Sequence, residues 1–302
     1  MLLSVIVPTR NRLSSLQKLI ASFESASVPQ GCEVEVLAVD NGSDDGTNLW
    51  LGAACQRKKR ISLYSLSEKK PGKAHALNVG LAHAKGDVIM IIDDDVSAGP
   101  DLFLKHLEGY GSTSYQALQG RILPGKDPEG RPADFSRLRE YNIPYIDYGD
   151  EFREIRGLTG TNMSFKREVF EKVGMFDTRL GPGAAGFSED TEYSIRIRGA
   201  GFKIGYTPHA VVYHELNPNR YGRAYNRMVE YRKGLSRSIY RHDSIVFRVI
   251  PDLFATCLRY GVYRLLGKTQ KAYKTEGRIL KSWGYLNGKA QGVKTADTHS
   301  EV

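Results

Sequence analysis

The chain has 302 residues, 41% of them hydrophobic, and a formal net charge of +9. That profile is ordinary for a globular protein and allows one large domain or two small ones. Its three cysteines, Cys32, Cys55 and Cys257, are scattered and match no ligand spacing. A reducing or cytoplasmic compartment therefore fits better than a secreted disulfide scaffold. The opening Met1–Pro8 run is too short for a signal-peptide core, and no apolar run nears the roughly 20 residues that cross a bilayer, so an integral protein is not expected.

In chain order, residues 2–7 form a short β-branched apolar run closed by Pro8, which predicts a buried strand. Leu13, Leu16, Leu19, Ile20 and Phe23 follow at helical spacing. A second strand, Glu33–Val39, leads into Asp40-Asn41-Gly42-Ser43 and another helical stretch. Ile61–Ser67 reads as a third strand, Ala74–Ala84 as a helix ended by Lys85-Gly86, and Asp87–Ile92 as a fourth strand. Such alternation predicts a parallel α/β sheet covered on both faces, with ligands beyond the carboxyl ends of its strands. Residues 125–157 are irregular and carry prolines at 128, 132 and 144, which predicts a binding loop or lid. Order resumes over Gly160–Glu171. Gly181–Phe187 is glycine-rich and reads as mobile, and Thr191–Arg198 as a short helix stopped by Gly199 and Gly201. Phe202–Thr207 and Ala210–Tyr213 are strand-like, and beyond Tyr221 the pattern is helical and basic.

Three acidic motifs carry chemistry. Asp93-Asp94-Asp95 ends a buried strand, where three consecutive acids repel one another without a cation. If the strand persisted, Asp93 and Asp95 would project to one side and share a divalent ion, Mn²⁺ or Mg²⁺, against a diphosphate. The plainer alternative is an acidic turn. Asp40-Asn41-Gly42-Ser43-Asp44-Asp45-Gly46-Thr47 follows a strand expected beside the first, and a carboxylate there can accept the N3 hydrogen of uracil. Ser188-Glu189-Asp190-Thr191-Glu192 offers Ser188 as a helix cap and Asp190 in the first turn, ionised and able to act as a general base. A surface acid satisfying the helix dipole is the competing reading. Lys73 and Asn78 open a helix where cationic and amide donors suit phosphate or ribose, against the alternative of a solvated helix start. His214 follows a strand and is a candidate third metal ligand or a structural histidine. No G-x-x-x-x-G-K-[ST] loop is present and no G-x-G-x-x-G follows the first strand, which argues against P-loop and dinucleotide-binding proteins.

The charge is uneven. Residues 216–302 hold 17 Lys and Arg against 6 Asp and Glu, and the preceding 215 hold 26 against 28. The basic third points to an anionic partner. Leu253, Phe254, Cys257, Leu258, Val262, Leu265 and Leu266 recur at helical spacing, with Arg248, Arg259, Arg264, Lys268, Lys271 and Lys274 along or after them. This segment suits a peripheral contact with an anionic inner membrane face, where a lipid-linked acceptor would be met. Packing on the rest of the chain or on a second subunit in a homo-oligomer is the alternative. Nucleic acid is disfavoured, because no matching fold motif accompanies the charge.

Taken together and in order, S-V-I-V-P-T-R-N-R, V-D-N-G-S-D-D-G-T, K-P-G-K-A-H-A-L-N-V-G, I-I-D-D-D-V, G-T-N-M-S-F-K-R and S-E-D-T-E-Y-S-I-R-I-R closely resemble glycosyltransferase family 2 over about residues 2–215. The resemblance implies a GT-A-type, mostly parallel α/β sheet flanked by helices, and an inverting transfer of sugar from a nucleotide-diphosphate donor, a UDP-sugar first among them, to a glycan or lipid-linked acceptor hydroxyl. It implies that Asp93 and Asp95 form the metal motif, with Asp95 the direct ligand and His214 joining them, and that Asp94 lies with the donor-facing acids. It further implies that Asp40 binds the base, that Pro8, Thr9 and Arg10 frame the nucleoside, and that Glu189 and Asp190 form the catalytic pair, with Asp190 the base. The expected organisation is a catalytic domain over 1–215, comprising a nucleotide-binding half over 1–100 and an acceptor-side half over 101–215. A basic helical extension over 216–286 and a disordered tail over 287–302 follow. The rival readings are a sugar-phosphate nucleotidyltransferase, whose glycine-rich arginine turn the first loop lacks, and a non-catalytic carbohydrate- or nucleic-acid-binding module.

Overall fold

The computed structural model describes residues 1–57, 60–126, 145–217, 220 and 222–292. The expectation of a binding loop over 125–157 falls largely on 127–144, outside the described residues. The chain divides into two compact units, one of residues 1–138, 143–177 and 189–218, the other of residues 139–142, 178–188 and 219–302.

The first unit is a mixed α/β layer built on a sheet of nine strands among the described residues. Its elements in chain order are β1 (Leu2–Thr9), α1 (Leu13–Ser25), β2 (Glu33–Asp40), α2 (Thr47–Ala54), β3 (Ser62–Ser67), α3 (Lys73–His83), β4 (Val88–Ile92), β5 (Val96–Ala98), α4 (Leu102–Ser112), β6 (Ala117–Pro124), β7 (Arg153–Ile155), β8 (Asn162–Lys166), α5 (Arg167–Val173), α6 (Glu189–Gly199) and β9 (Ile204–His214). The strand order is β3-β2-β1-β4-β8-β6-β9-β5, with β7 also on β9. Strand alternation explains why the first strands are apolar throughout. Leu3, Val5 and Val7 of β1 and Val88, Met90 and Ile92 of β4 face one core with Leu16, Leu19 and Phe23 of α1. Ile6, Ile89 and Ile91 face the opposite core with Leu77 of α3. A Cβ at Gly80 would run into Ile6, so glycine at that position lets α3 lie close on the sheet.

The sheet is flanked by helices as the resemblance implies, but it is parallel only in part. β3, β2, β1 and β4 run parallel, whereas β8 enters antiparallel between β4 and β6. The two strand-like runs near residue 207 form one strand, β9. Its register against β6 jumps from Gly120–Thr207 to Arg121–Val211. The slip spans Pro208, which has no N–H to give a ladder.

The second unit holds α7 (Arg223–Tyr240), a π-helical turn at Ile245–Val249, α8 (Ile250–Leu265) and α9 (Thr269–Gln291). Helix α9 therefore runs four residues past the expected start of a disordered tail, and 293–302 lie outside the described residues. The Gly181–Phe187 segment, expected to be mobile, is held in place. Gly186 N bonds Gly181 O at 2.9 Å, Phe187 N donates to Ser236 Oγ at 3.3 Å, and that hydroxyl also donates to Ala185 O at 3.3 Å. Among the described residues no helix is long and apolar enough to cross a membrane.

Candidate active site

The acidic motifs gather where the sheet topology places the carboxyl ends of β1, β2 and β4, together with the end of β9 and the first turns of α3 and α6. Asp40 is opposite Thr9 in the parallel register of β2 and β1. It is buried, and its Oδ1 accepts from Ser43 N at 3.0 Å, closing the turn after β2. Asn41 clamps the approach to α3: Nδ2 donates to Glu68 O at 3.0 Å and Lys70 O at 2.7 Å, while Oδ1 accepts from Gly72 N at 2.8 Å. That clamp fixes Lys73 as the first residue of α3.

The aspartate run does not continue the strand. β4 stops at Ile92, and Asp94 and Asp95 form a turn, so Asp93 and Asp95 find different partners instead of projecting together. Asp93 Oδ1 lies 2.5 Å from Lys73 Nζ, and its Oδ2 accepts from Thr161 Oγ1 at 2.8 Å. Lys73 Nζ also lies 3.4 Å from Glu189 Oε1. Asp94 accepts from Thr9 Oγ1 at 2.8 Å and lies 3.3 Å from Arg12 Nη1, which pairs more closely with Asp95 Oδ2. The other oxygen of Asp95 is 3.3 Å from His214 Nε2. Two cations thus hold the acids in two neighbouring groups, Arg12 with Asp94 and Asp95, and Lys73 with Asp93 and Glu189.

Burial decides the proton affinities. It pushes the Asp94 carboxyl up to about 7, against the lowering influence of Arg12 and with the added push of Asp95. It likewise pushes Glu189 up to about 7, opposed by Lys73 and reinforced by Asp190. Burial opposes the charge of Lys73, but Asp93 and Glu189 outweigh it and raise the ammonium well above the usual lysine range. Arg12 is raised in the same way by Asp95 and Asp94.

Glu189 is buried, whereas Asp190 keeps partial exposure in the first turn of α6. Asp190 Oδ1 accepts from Thr191 N at 2.6 Å and Thr191 Oγ1 at 3.2 Å, and Oδ2 from Gly160 N at the longer 3.3 Å. Ser188 has φ +76°, outside the β region a side-chain-capping serine adopts, so the expected cap is corrected. Asn78 Nδ2 donates to Phe176 O at 3.0 Å and its Oδ1 accepts from Phe176 N at 2.8 Å, which ties the amide to the backbone and leaves its second N–H for a ligand. Pro8 is buried within β1 and Arg10 is exposed. The cation that reaches the acids is Arg12, two residues on from Arg10. Asn11 makes this possible by taking φ +51° and bonding Ser43 Oγ and Asp44 N across the loop, each at 2.9 Å. Arg12, Thr161 and Asn41 all lie inside the motifs quoted above, but their partners are residues 27 to 83 positions away.

The donor set fits a divalent cation. His214 Nδ1 is 2.7 Å from Glu215 O, and a carbonyl can only accept, so Nδ1 carries the proton. Nε2 is therefore the nitrogen that faces Asp95 Oδ1, and without a proton there its lone pair would be open to a cation shared with that carboxylate. Among the described residues no three acidic, histidine or cysteine side chains converge as a ready-made cluster. Mg²⁺ and Mn²⁺ sites that use one or two protein ligands complete their shells with substrate phosphates and water.

A cluster of acids beyond the carboxyl ends of parallel strands stands where α/β proteins bind their ligands. The model of the family described as Glycosyl transferase family 2 matches residues 4–174, and the chain belongs to that family. It is 29% identical over 157 residues to the glucosyl-dolichyl phosphate glucuronosyltransferase of Haloferax volcanii, covering 50% of each chain. It is 22% identical over 272 residues to the Bacillus subtilis protein named Probable glycosyltransferase YdaM, covering 86% of this chain and 62% of that one. The chain thus spans about half to three fifths of these relatives' length. Among solved structures, the mannosyltransferase PcManGT from Pyrobaculum calidifontis, in complex with GDP-Man and Mn²⁺, shares the fold at a TM-score of 0.57 and 19% identity, covering 97% of this chain and 76% of that one.

Proposed function

We propose that this chain transfers a glycosyl group from a nucleotide-diphosphate sugar, a UDP-sugar in the first instance, to an acceptor hydroxyl by one inverting displacement, in glycan, polysaccharide or glycolipid synthesis. The observation that carries the reading is the arrangement in which Asp95 faces His214, Lys73 bridges Asp93 and Glu189, and the half-exposed Asp190 follows Glu189 at the start of α6. A divalent cation, Mn²⁺ or Mg²⁺, would supply positive charge against the departing nucleoside diphosphate, and Asp95 and His214 would hold it, Asp93 being engaged by Lys73 and Thr161. The mannosyltransferase solved with GDP-Man and Mn²⁺ supports both the donor class and the metal.

Each remaining residue has a physical task. Asp40 accepts the N3 hydrogen of the base, with Thr9 and Pro8 fixing the end of β1 beside it. Arg12 and Lys73 offset a cluster of acids that would otherwise repel a diphosphate. Glu189, held inside by Lys73, orients the ammonium. Asp190 Oδ2, the more lightly held oxygen, removes the acceptor proton as the hydroxyl attacks the anomeric carbon from the face opposite the leaving group, so an α-linked donor gives a β-linked product. A screen of UDP-, GDP- and dTDP-sugars with Mn²⁺ and Mg²⁺ tests the reading through release of nucleoside diphosphate. Release of pyrophosphate would mark a nucleotidyltransferase, and binding without turnover a non-catalytic module.

A further inference from the structure

Helix α8 leaves one apolar face uncovered. Phe247, Ile250, Phe254, Leu258, Val262 and Leu265 recur at spacings of three and four, and all six are exposed, Phe247 and Leu265 at 89% and 88%. Nine of the eighteen large hydrophobic side chains exposed among the described residues fall within the 22 residues from Ile245 to Leu266. Such concentration is unlike the scattered single exposures of an ordinary surface.

The helix has a definite inside. Thr256 is 1% exposed and is the buried residue of α8, which packs on α9. Counted at about 100° per residue from Thr256, the apolar positions from Ile250 to Leu265 fall between about 120° and 240°. On the same count Arg264 stands near about 80° and Arg259 near about 300°, one on each flank. Arg248 and Lys268, both exposed, extend the basic border at the two ends. Asp252, the one acidic residue between positions 245 and 268, is engaged by Arg278 at 3.1 Å.

We propose that α8, with the π-helical turn before it, lies in the headgroup region of an anionic lipid bilayer, its apolar face in the acyl boundary and its flanking arginines on anionic headgroups. The apolar stripe with cationic borders is the complement of that surface. A protein partner accounts for the stripe alone and leaves the basic flanks without purpose. The π-helical turn extends the face toward the N-terminus by setting Phe247 outward, with Ser244 Oγ accepting from Phe247 N at 3.2 Å. This inference concerns the second unit and does not depend on the reaction assigned to the first.

Flotation of the full chain with phosphatidylcholine vesicles, and with phosphatidylcholine vesicles containing phosphatidylglycerol, tests it. Binding to the anionic vesicles that falls as salt rises, with little on the neutral ones, is expected. Phe254→Asp with Leu258→Asp should abolish flotation at every salt concentration while the circular dichroism spectrum stays that of the parent. Arg259→Gln and Arg264→Gln should each lower partitioning about fivefold, the factor corresponding to roughly 1 kcal/mol per basic residue. The proposal is overturned if the wild-type chain ignores anionic vesicles at low salt. It is equally overturned if flotation survives the double aspartate variant, or if that variant instead dissociates a dimer in light scattering of a chain that never floats.

Discussion

Replacing Lys73 by Met keeps the length of the side chain and deletes the charge between two buried carboxylates. Lys73 Nζ is 2.5 Å from Asp93 Oδ1 and 3.4 Å from Glu189 Oε1, with the lysine side chain only 16% exposed. Removing one member of a buried ionic group leaves the others uncompensated and costs about 3–5 kcal/mol, a large part of a domain's stability. The variant can relieve that cost by taking up protons. Burial already holds Glu189 at about 7 with Lys73 in place, so its loss pushes Glu189 further up. The folded value of Glu189 then lies further above the unfolded one, and the folded state binds more protons than the unfolded state across that window. Stability of the variant accordingly rises as pH falls. Urea denaturation of the two proteins at pH 8 and pH 5 measures this. The deficit should reach about 3–5 kcal/mol at pH 8 and shrink clearly at pH 5. A loss under about 1 kcal/mol at pH 8, or the same loss at both pH values, would refute the bridging role.

The metal, the core and the helix pair give further tests. Asp95→Ala should remove Mn²⁺-stimulated turnover and calorimetric Mn²⁺ binding in the presence of nucleotide while the thermal transition stays within a few degrees of the parent; turnover resistant to chelators would contradict it. His106 is buried, with Nε2 2.9 Å from Asn162 Oδ1 and Nδ1 2.9 Å from Ser164 Oγ, and burial lowers its pKa to about 4. At His106 the unfolded chain therefore binds the extra proton between about 6.5 and 4, and this residue's contribution to stability should fall by about 3 kcal/mol as pH drops through that range, against the opposite contributions of Asp94 and Glu189. His106→Gln should flatten this slope in denaturation curves, and an unchanged slope would assign the acid sensitivity elsewhere. A Cβ at Gly284 would overlap the carbonyl oxygen of Tyr231 where α9 meets α7. Gly284→Ala should thus destabilise by about 1–3 kcal/mol despite alanine's higher helix propensity, and a raised melting temperature would show that the helices part freely.

The sequence disclosed best what is written locally. The apolar runs of β1, β2 and β4 are buried on both faces and bounded by turn residues, so their periods announce them, and the acids that follow fall at strand ends for the same reason. His214 could be placed after a strand, but its meeting with Asp95 depends on β5 and β9 pairing antiparallel, Val96 opposite His214. Nothing in the neighbourhood of either residue encodes that pairing. The same holds for β8, whose five residues enter the sheet antiparallel beside β4 although the alternation before it is parallel. Arg12 rather than Arg10 reaches the acids because the left-handed backbone of Asn11 between them turns the loop, which neither arginine's local sequence discloses. Asn78 shows the same dependence on distant partners. An amide near a helix start suits a ligand on local grounds, and only Phe176, 98 residues away, shows where its hydrogen bonds go.

The assignment of Asp190 as the proton acceptor is the centre of the account, and Asp190→Asn probes it with the least disturbance of shape. Turnover of the best donor and the affinity for its nucleoside diphosphate should be measured side by side on the parent and the variant. A fall in turnover on the order of a hundredfold or more, with nucleotide affinity nearly unchanged, is the predicted result. Nucleotide affinity that collapses while turnover at saturating donor persists would contradict it, placing Asp190 on the donor and the base elsewhere.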